Sequence, residues 1–162
     1  MRILLCIGAA VFALLGTARV GLACSCIEIP DPLKAMEQAD FVFSGTVTSI
    51  NDDPEGEGVF VADFRIEQAW KGFDGEEAVT ITQPFDSCTF FFGAPGESYL
   101  VYGSQGQLFG LEEPSEALFY QVNACSRTRL LSQASEDLEA LGSPRPTIVK
   151  ASFWGQIKAF FQ

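Results

Sequence analysis

Four cysteines, Cys24, Cys26, Cys88 and Cys125, have the residue type and spacing for distinctive chemistry. Three chemistries are open to them. A nucleophilic Cys24 needs a free thiolate and a base beside it. The chain has no His, which removes both the commonest general base at neutral pH and the commonest metal ligand. A His-based triad, a zinc hydrolase and a His-ligated haem protein are disfavoured by that count alone. A four-thiolate zinc site would use all four sulfurs, but such sites usually come as two clusters at Cys-x2-Cys spacing. This chain has one Cys-x-Cys and two isolated cysteines. An even number of cysteines in an exported chain reads instead as two disulfides. A Cys24–Cys26 bridge is disfavoured, because so small a ring strains disulfide geometry. Two long-range pairings remain, and either staples the N-terminal segment to two distant ones. Each closed loop exceeds 60 residues, so loop-closure entropy assigns roughly 4 kcal/mol to each bridge.

Export is itself read from the chain. Arg2 provides a short positive region, and Ile3 to Leu15 is an almost unbroken apolar run of 13 residues. A spanning helix needs ~20, so the run fits the core of a secretory signal peptide. Gly21 and Ala23 stand at −3 and −1 to Cys24. Residues 1–23 are therefore expected to be removed, Cys6 with them. The mature chain of 139 residues, 162 − 23, then opens Cys24-Ser25-Cys26. The localisation expected is secreted, periplasmic or extracellular. A Cys directly after Leu22-Ala23 also resembles a lipoprotein cleavage site, although Gly21 stands where Leu is usual there. A lipid-anchored chain acylated at Cys24 is the alternative.

The charge limits the partners. Ten basic residues face 21 acidic ones, a net −11; without Arg2 and Arg19 the mature chain has 8 against 21, a net −13. Nucleic acid would be repelled rather than steered in. No nucleophile–base pair is visible, so an enzyme is the least expected class, and no cofactor is expected.

The length suits one domain with at most an appendage. Asp31-Pro32 has the form of an N-cap followed by Pro at N1, and Leu33, Met36 and Ala39 or Asp40 follow at helical spacing. Phe41 to Ile50 alternates, with Phe41, Phe43, Gly45 and Val47 on one face, which predicts a strand. Val59 to Trp70, Ala78 to Thr82 and Ser98 to Gly103 read as further strands, and Ser87 to Phe92 as another apolar segment. Ala117 to Cys125 reads as the last strand. Leu131, Ala134, Leu138 and Leu141 lie at helical spacing within Leu130 to Leu141, with Gly142 at C′. Five or six short strands with one or two short flanking helices predict a mainly β fold, a small closed or partly open antiparallel barrel, whose core takes the many Phe residues. Pro144 and Pro146 then punctuate a linker. Phe153, Trp154, Ile157, Phe160 and Phe161 form a helical stripe in the tail Ala151 to Gln162. That tail could dock on the barrel, lie on a membrane surface or engage a partner groove.

Several segments carry a resemblance. They are Cys24-Ser25-Cys26, then Ala39-Asp40-Phe41-Val42-Phe43-Ser44-Gly45-Thr46-Val47, then Gln68-Ala69-Trp70-Lys71-Gly72. Ser87-Cys88, Tyr99-Leu100-Val101-Tyr102 and Asn123-Ala124-Cys125-Ser126-Arg127 follow in order. Together they resemble the N-terminal inhibitory domain of the tissue inhibitors of metalloproteinases, in the netrin-like group, over roughly Cys24 to Leu141. The resemblance implies a single OB-fold-like barrel domain over 24–142, followed by the linker and amphipathic tail over 143–162. It implies the bridges Cys24–Cys88 and Cys26–Cys125. It also implies an exported inhibitor whose mature N-terminal amine and carbonyl, both of Cys24, chelate the catalytic zinc of a target endopeptidase. Ser25 would enter the specificity pocket of the protease, and Asp86 and Ser87 would form a second contact strip. The ordinary reading of Ser25 and Ser87 is loop polarity.

The chain departs from that pattern in three places. The animal inhibitors tie the helix after Cys-x-Cys to the domain end by a third bridge, and here Met36 and Glu37 stand near its position. The disulfide-rich C-terminal domain is replaced by the short tail. Glu28-Ile29-Pro30 lacks the family's His-Pro pair. A netrin-like binding module that never touches zinc is the competing expectation.

Overall fold

The structure is a computed structural model that describes residues 24–26, 28–52, 58–107 and 118–145. Its elements in order are helix α1 (Pro32–Gln38) and strands β1 (Phe41–Asp52), β2 (Val59–Lys71), β3 (Ala78–Pro84), β4 (Ser98–Gly106), β5 (Phe119–Gln121) and β6 (Arg129–Leu130). A 3-10 turn (Leu131–Gln133) and helix α2 (Ser135–Leu141) follow. The expected signal peptide over 1–23 and the tail helix over Ala151 to Gln162 lie outside the described residues.

The strands close on themselves. The sheet order is β1-β2-β3-β5-β4, and β4 returns to β1, with β6 added on β4. This is a five-stranded closed barrel of the OB type plus one extra strand and two short helices. Closure removes the exposed edges that an open sheet of this size would leave. All neighbouring strands run antiparallel except β3 and β5, which run parallel. Strand β1 serves both β2 and β4 because three register shifts bend it, between Val42 and Phe43, Ser44 and Gly45, and Val47 and Ser49. Gly45 sits at the second, where a Cβ would stand 2.6 Å from the Arg65 carbonyl oxygen.

The interior is aromatic. Phe41, Phe43, Phe64, Phe73 and Phe92 are buried there with Tyr99. The rings meet edge to face, with centroids 5.5 Å apart for Phe43–Phe64, 5.4 Å for Phe43–Phe73 and 4.8 Å for Phe64–Phe92, the arrangement the ring quadrupoles favour.

The alternation predicted for β1 is obscured at its start, where Phe41 to Gly45 are all buried. The cause is a second apolar layer outside the barrel. Val42, Trp70, Leu100 and Tyr102 face it from the strands, and Ala35 and Ala134 cover them, with Leu131, Leu138 and Leu141 at its border. Helix α1 buries Pro32 and Ala35 rather than the Leu33 face, and Leu33 is exposed. Its start has the expected cap: the Asp31 carboxylate accepts from the N–H groups of Leu33 and Lys34 at 3.1 and 3.0 Å.

Three other expectations need correction. The barrel is not wholly antiparallel, since β3 and β5 pair in parallel at Ile81 and Tyr120; the apolar segment Ser87 to Phe92 meets the sheet through an isolated bridge between Thr89 and Asn123. The strand expected over Ala117 to Cys125 covers, among the described residues, only Phe119–Gln121, because the chain turns at Asn123, and a further strand, β6, follows it. The single helix over Leu130 to Leu141 is divided: Leu130 pairs with Tyr99 in β6, and a 3-10 turn precedes α2. Thr128 fills the gap between β5 and β6 along β4. Its hydroxyl accepts from the Tyr102 N–H at 2.9 Å and donates to the Tyr102 carbonyl at 3.1 Å, in place of ladder bonds.

Candidate functional site at the N-terminal strap

The described residues 24–26 and 28–31 form an N-terminal strap that is held at both ends. Two disulfides fix its start, Cys24–Cys88 and Cys26–Cys125, which is also the pairing the resemblance implies. Bridged cysteines carry no thiolate, so a nucleophilic Cys24 has no place in this form, and only its backbone groups remain for chemistry. Cys24 is half-buried, while Ser25 and Cys26 are exposed. The two bridges fit an oxidising compartment outside the cytosol.

The partner cysteines are positioned by one local device used twice. The Cys88 N–H donates to the Asp86 carboxylate at 2.7 Å, and the Cys125 N–H donates to the Asn123 side-chain oxygen at 2.9 Å. Each Cys therefore sits two residues after an Asx residue whose side chain closes the turn. The two turns lie side by side, because the Ala124 N–H donates to the Cys88 carbonyl at 2.7 Å and Thr89 bridges Asn123. Thr89 also locks its own loop: its hydroxyl accepts from the Asp86 N–H at 2.8 Å and donates to the Pro84 carbonyl at 2.5 Å. Behind them, buried Gln83 donates to the Phe90 carbonyl at 2.7 Å and accepts from the Val122 N–H at 3.0 Å. Asp86 and Ser87, expected as a contact strip, are exposed and tied to Cys24 through Cys88. One Asp86 oxygen is already used by its own turn.

The far end of the strap is held by a buried charge cluster. Arg127 Nη1 donates to the Pro30 carbonyl at 2.9 Å, its Nε bonds Asp137 at 2.5 Å, and its Nη2 meets Glu136 at 2.9 Å. Asp137 is fully buried; it also accepts from the Tyr102 hydroxyl at 3.0 Å and faces Arg129 at 3.7 Å. Burial pushes the Tyr102 phenol well above its ordinary value, and the Asp137 charge and hydrogen bond add to the shift. Burial opposes the charge on Arg127, but the hydrogen bond and charge of Asp137, with Glu136, outweigh it and hold the guanidinium above its usual range. A cavity of about 280 Å³ opens beside the strap, lined by Pro30, Gln38, Tyr102, Ser104, Asn123 and Arg127 among others.

Helix α1 is tied without a covalent link at its C-terminal end. Lys71 Nζ donates to the carbonyls of Met36 and Glu37 at 3.1 and 3.0 Å, satisfying groups the short helix leaves open. The neighbouring Trp70 indole donates to the Gly142 carbonyl at 2.9 Å, and the Arg145 N–H to the Ala69 carbonyl at 2.8 Å. The end of β2 thus holds both α1 and the end of the domain.

A second surface feature adjoins the Asp86–Cys88 turn. Phe85 and Phe91 are each about half exposed and pack edge to face with centroids 5.3 Å apart. No protein-family model matches the chain, and no curated protein matches it.

Proposed function

We propose that the mature chain is an exported inhibitor of zinc endopeptidases, related to the tissue inhibitors of metalloproteinases. Once cleavage frees it, the Cys24 amine and carbonyl form a five-membered chelate on the catalytic zinc of the target. They replace the water that a catalytic zinc keeps in its open position. An α-amine has a pKa of ~7.7–8, so it loses its proton on metal binding at little cost near neutral pH.

One observation carries this reading. Cys24 is bridged to Cys88 while Ser25 beside it stays exposed, so the chelating backbone is held in place at the surface. A rigid ligand loses little freedom on binding, which favours affinity. Ser25 then points to the specificity pocket of the protease, and Asp86 and Ser87 supply the second contact strip. The third bridge of the animal inhibitors has a non-covalent counterpart here, since Lys71 grips the carbonyls of Met36 and Glu37.

The competing reading is a netrin-like protein-binding module, with or without a lipid on Cys24. The exposed Phe85–Phe91 pair favours it, because adjoining half-exposed aromatic rings are typical of contact surfaces. A panel of zinc endopeptidases assayed with the mature protein decides between them. Inhibition of at least one member is expected, together with an intact mass equal to the unmodified chain from Cys24. No inhibition across a broad panel, or a mass increased by acyl chains, removes the inhibitor reading.

A further inference from the structure

The two bridges crowd their sulfurs into one cluster. Cys24 Sγ lies 3.7 Å from Cys125 Sγ, although the two belong to different bridges. The sulfurs of Cys24, Cys26 and Cys125 lie within 4.8 Å of one another, and the fourth sulfur, of Cys88, is bonded to Cys24. Four thiolates around a tetrahedral zinc ion, each at about 2.3 Å from it, stand about 3.8 Å apart. The non-bonded Cys24–Cys125 contact already has that spacing. The backbones are also at workable separations, with Cα atoms 5.0 and 5.3 Å apart across the two bridges. The two bonded sulfur pairs must part by about 1.7 Å each, and the Cys88 sulfur, which lies outside the group of three, must turn in beside the others, both by side-chain rotation.

The framework that gathers the four residues does not depend on the bridges alone. The Asp86 and Asn123 turns set Cys88 and Cys125 beside each other, and Arg127 holds the strap at Pro30. With the bridges opened, these bonds still hold Cys88 and Cys125 side by side and keep the strap that carries Cys24 and Cys26 tethered at Pro30.

We propose that the reduced form of this cluster binds one thiophilic divalent cation, zinc being the type, as a four-thiolate site. The balance is simple. Each disulfide takes two electrons and two protons from an external dithiol, which leaves as a disulfide. Four thiols result, and the cation displaces their protons as it binds. Soft thiolate ligands select zinc and similar ions over calcium or magnesium. Bridge and metal use the same sulfurs, so the two forms exclude each other: oxidation expels the cation, and the bound cation blocks oxidation. This site is separate from the zinc of any target protease and does not rest on the inhibitor reading.

The test uses the mature chain, reduced anaerobically with a phosphine, and cobalt(II) as the probe. One cobalt ion per chain should give the intense absorption of a tetrahedral cobalt thiolate, and one equivalent of zinc should abolish it. The oxidised chain should give none. Zinc should raise the melting temperature of the reduced chain, because it binds the folded form. If the reduced chain is unfolded without metal, one equivalent of zinc should restore its near-ultraviolet circular dichroism. Cys26→Ser should weaken cobalt binding more than about tenfold, since even the loss of an outer-shell partner costs 10–100-fold. The proposal is overturned by the absence of cobalt–thiolate absorption, by two chains per ion, or by unchanged affinity in the Cys26→Ser chain. Zinc that lowers the melting temperature, or fails to restore the dichroism, also overturns it, because the thiols then bind metal only in the unfolded chain.

Discussion

Arg127 donates to the Pro30 carbonyl at 2.9 Å while bonding Asp137 at 2.5 Å, so one buried guanidinium joins the N-terminal strap to helix α2. The strap is therefore fixed at its start by two disulfides and at its end by a largely buried charge.

Asp137→Ala should destabilise the fold by about 3–5 kcal/mol, the cost of stripping one partner from a buried ion pair. The Tyr102 hydroxyl loses its acceptor in the same step. Denaturant titration of the oxidised protein measures the loss, and hydrogen exchange should show faster amides at Glu28 and Ile29. A loss below about 1 kcal/mol would mean that Glu136 alone holds Arg127.

Asp86→Ala and Asn123→Ala should each cost about 1 kcal/mol, because each removes one side-chain acceptor for a cysteine N–H. The two turns share the Thr89–Asn123 bridge, so the double variant should deviate from additivity by 0.5 kcal/mol or more. Reoxidation of the reduced double variant should also yield more mispaired bridges, read by non-reducing peptide mapping. Strict additivity would show that the turns act independently.

Stability should fall at alkaline pH. Tyr99 and Tyr102 are both raised above the ordinary phenol value of 10.0, chiefly by burial and further by Glu97 and Asp137. Above pH 10 the unfolded chain releases protons that the folded chain keeps. Their contribution is complete below pH 10 and is lost as pH rises through the folded values. Each adds a slope of at most about 1.4 kcal/mol per pH unit. Tyr102→Phe should remove one share of that slope, whatever it costs at neutral pH. Denaturation midpoints between pH 8 and 11 check this, and an unchanged slope in the Phe variant would contradict it.

The barrel was legible because its core is written as alternating Phe and aliphatic residues, and the apolar row Leu131, Ala134, Leu138 and Leu141 was legible by its spacing, although the 3-10 turn and α2 divide it. The second apolar layer was not, because Val42 and Leu100 sit in continuous apolar runs whose two faces cannot be told apart. Nor was β6, where Arg129 and Leu130 alone make the pairing and the Thr128 side chain stands in for ladder bonds. Nothing in the sequence marks Arg127 and Asp137 as buried partners, since nothing local distinguishes a buried pair from a solvated one. The Asx turns did leave a signal: Asp86-Ser87-Cys88 and Asn123-Ala124-Cys125 share the spacing Asx-x-Cys. Lys71 left none, because its acceptors are backbone carbonyls 34 and 35 residues away.

The proposed zinc chelation rests on the Cys24 amine. The decisive measurement compares the mature protein with a form carrying one Ala before Cys24, as inhibition constants against the same zinc endopeptidase. The extension leaves both disulfides and the barrel intact, but it acylates the chelating nitrogen and adds bulk against the metal. Inhibition by the extended form should be weaker by about a hundredfold or more, with melting temperatures that agree closely. Equal potency of the two forms would contradict the proposed chelation.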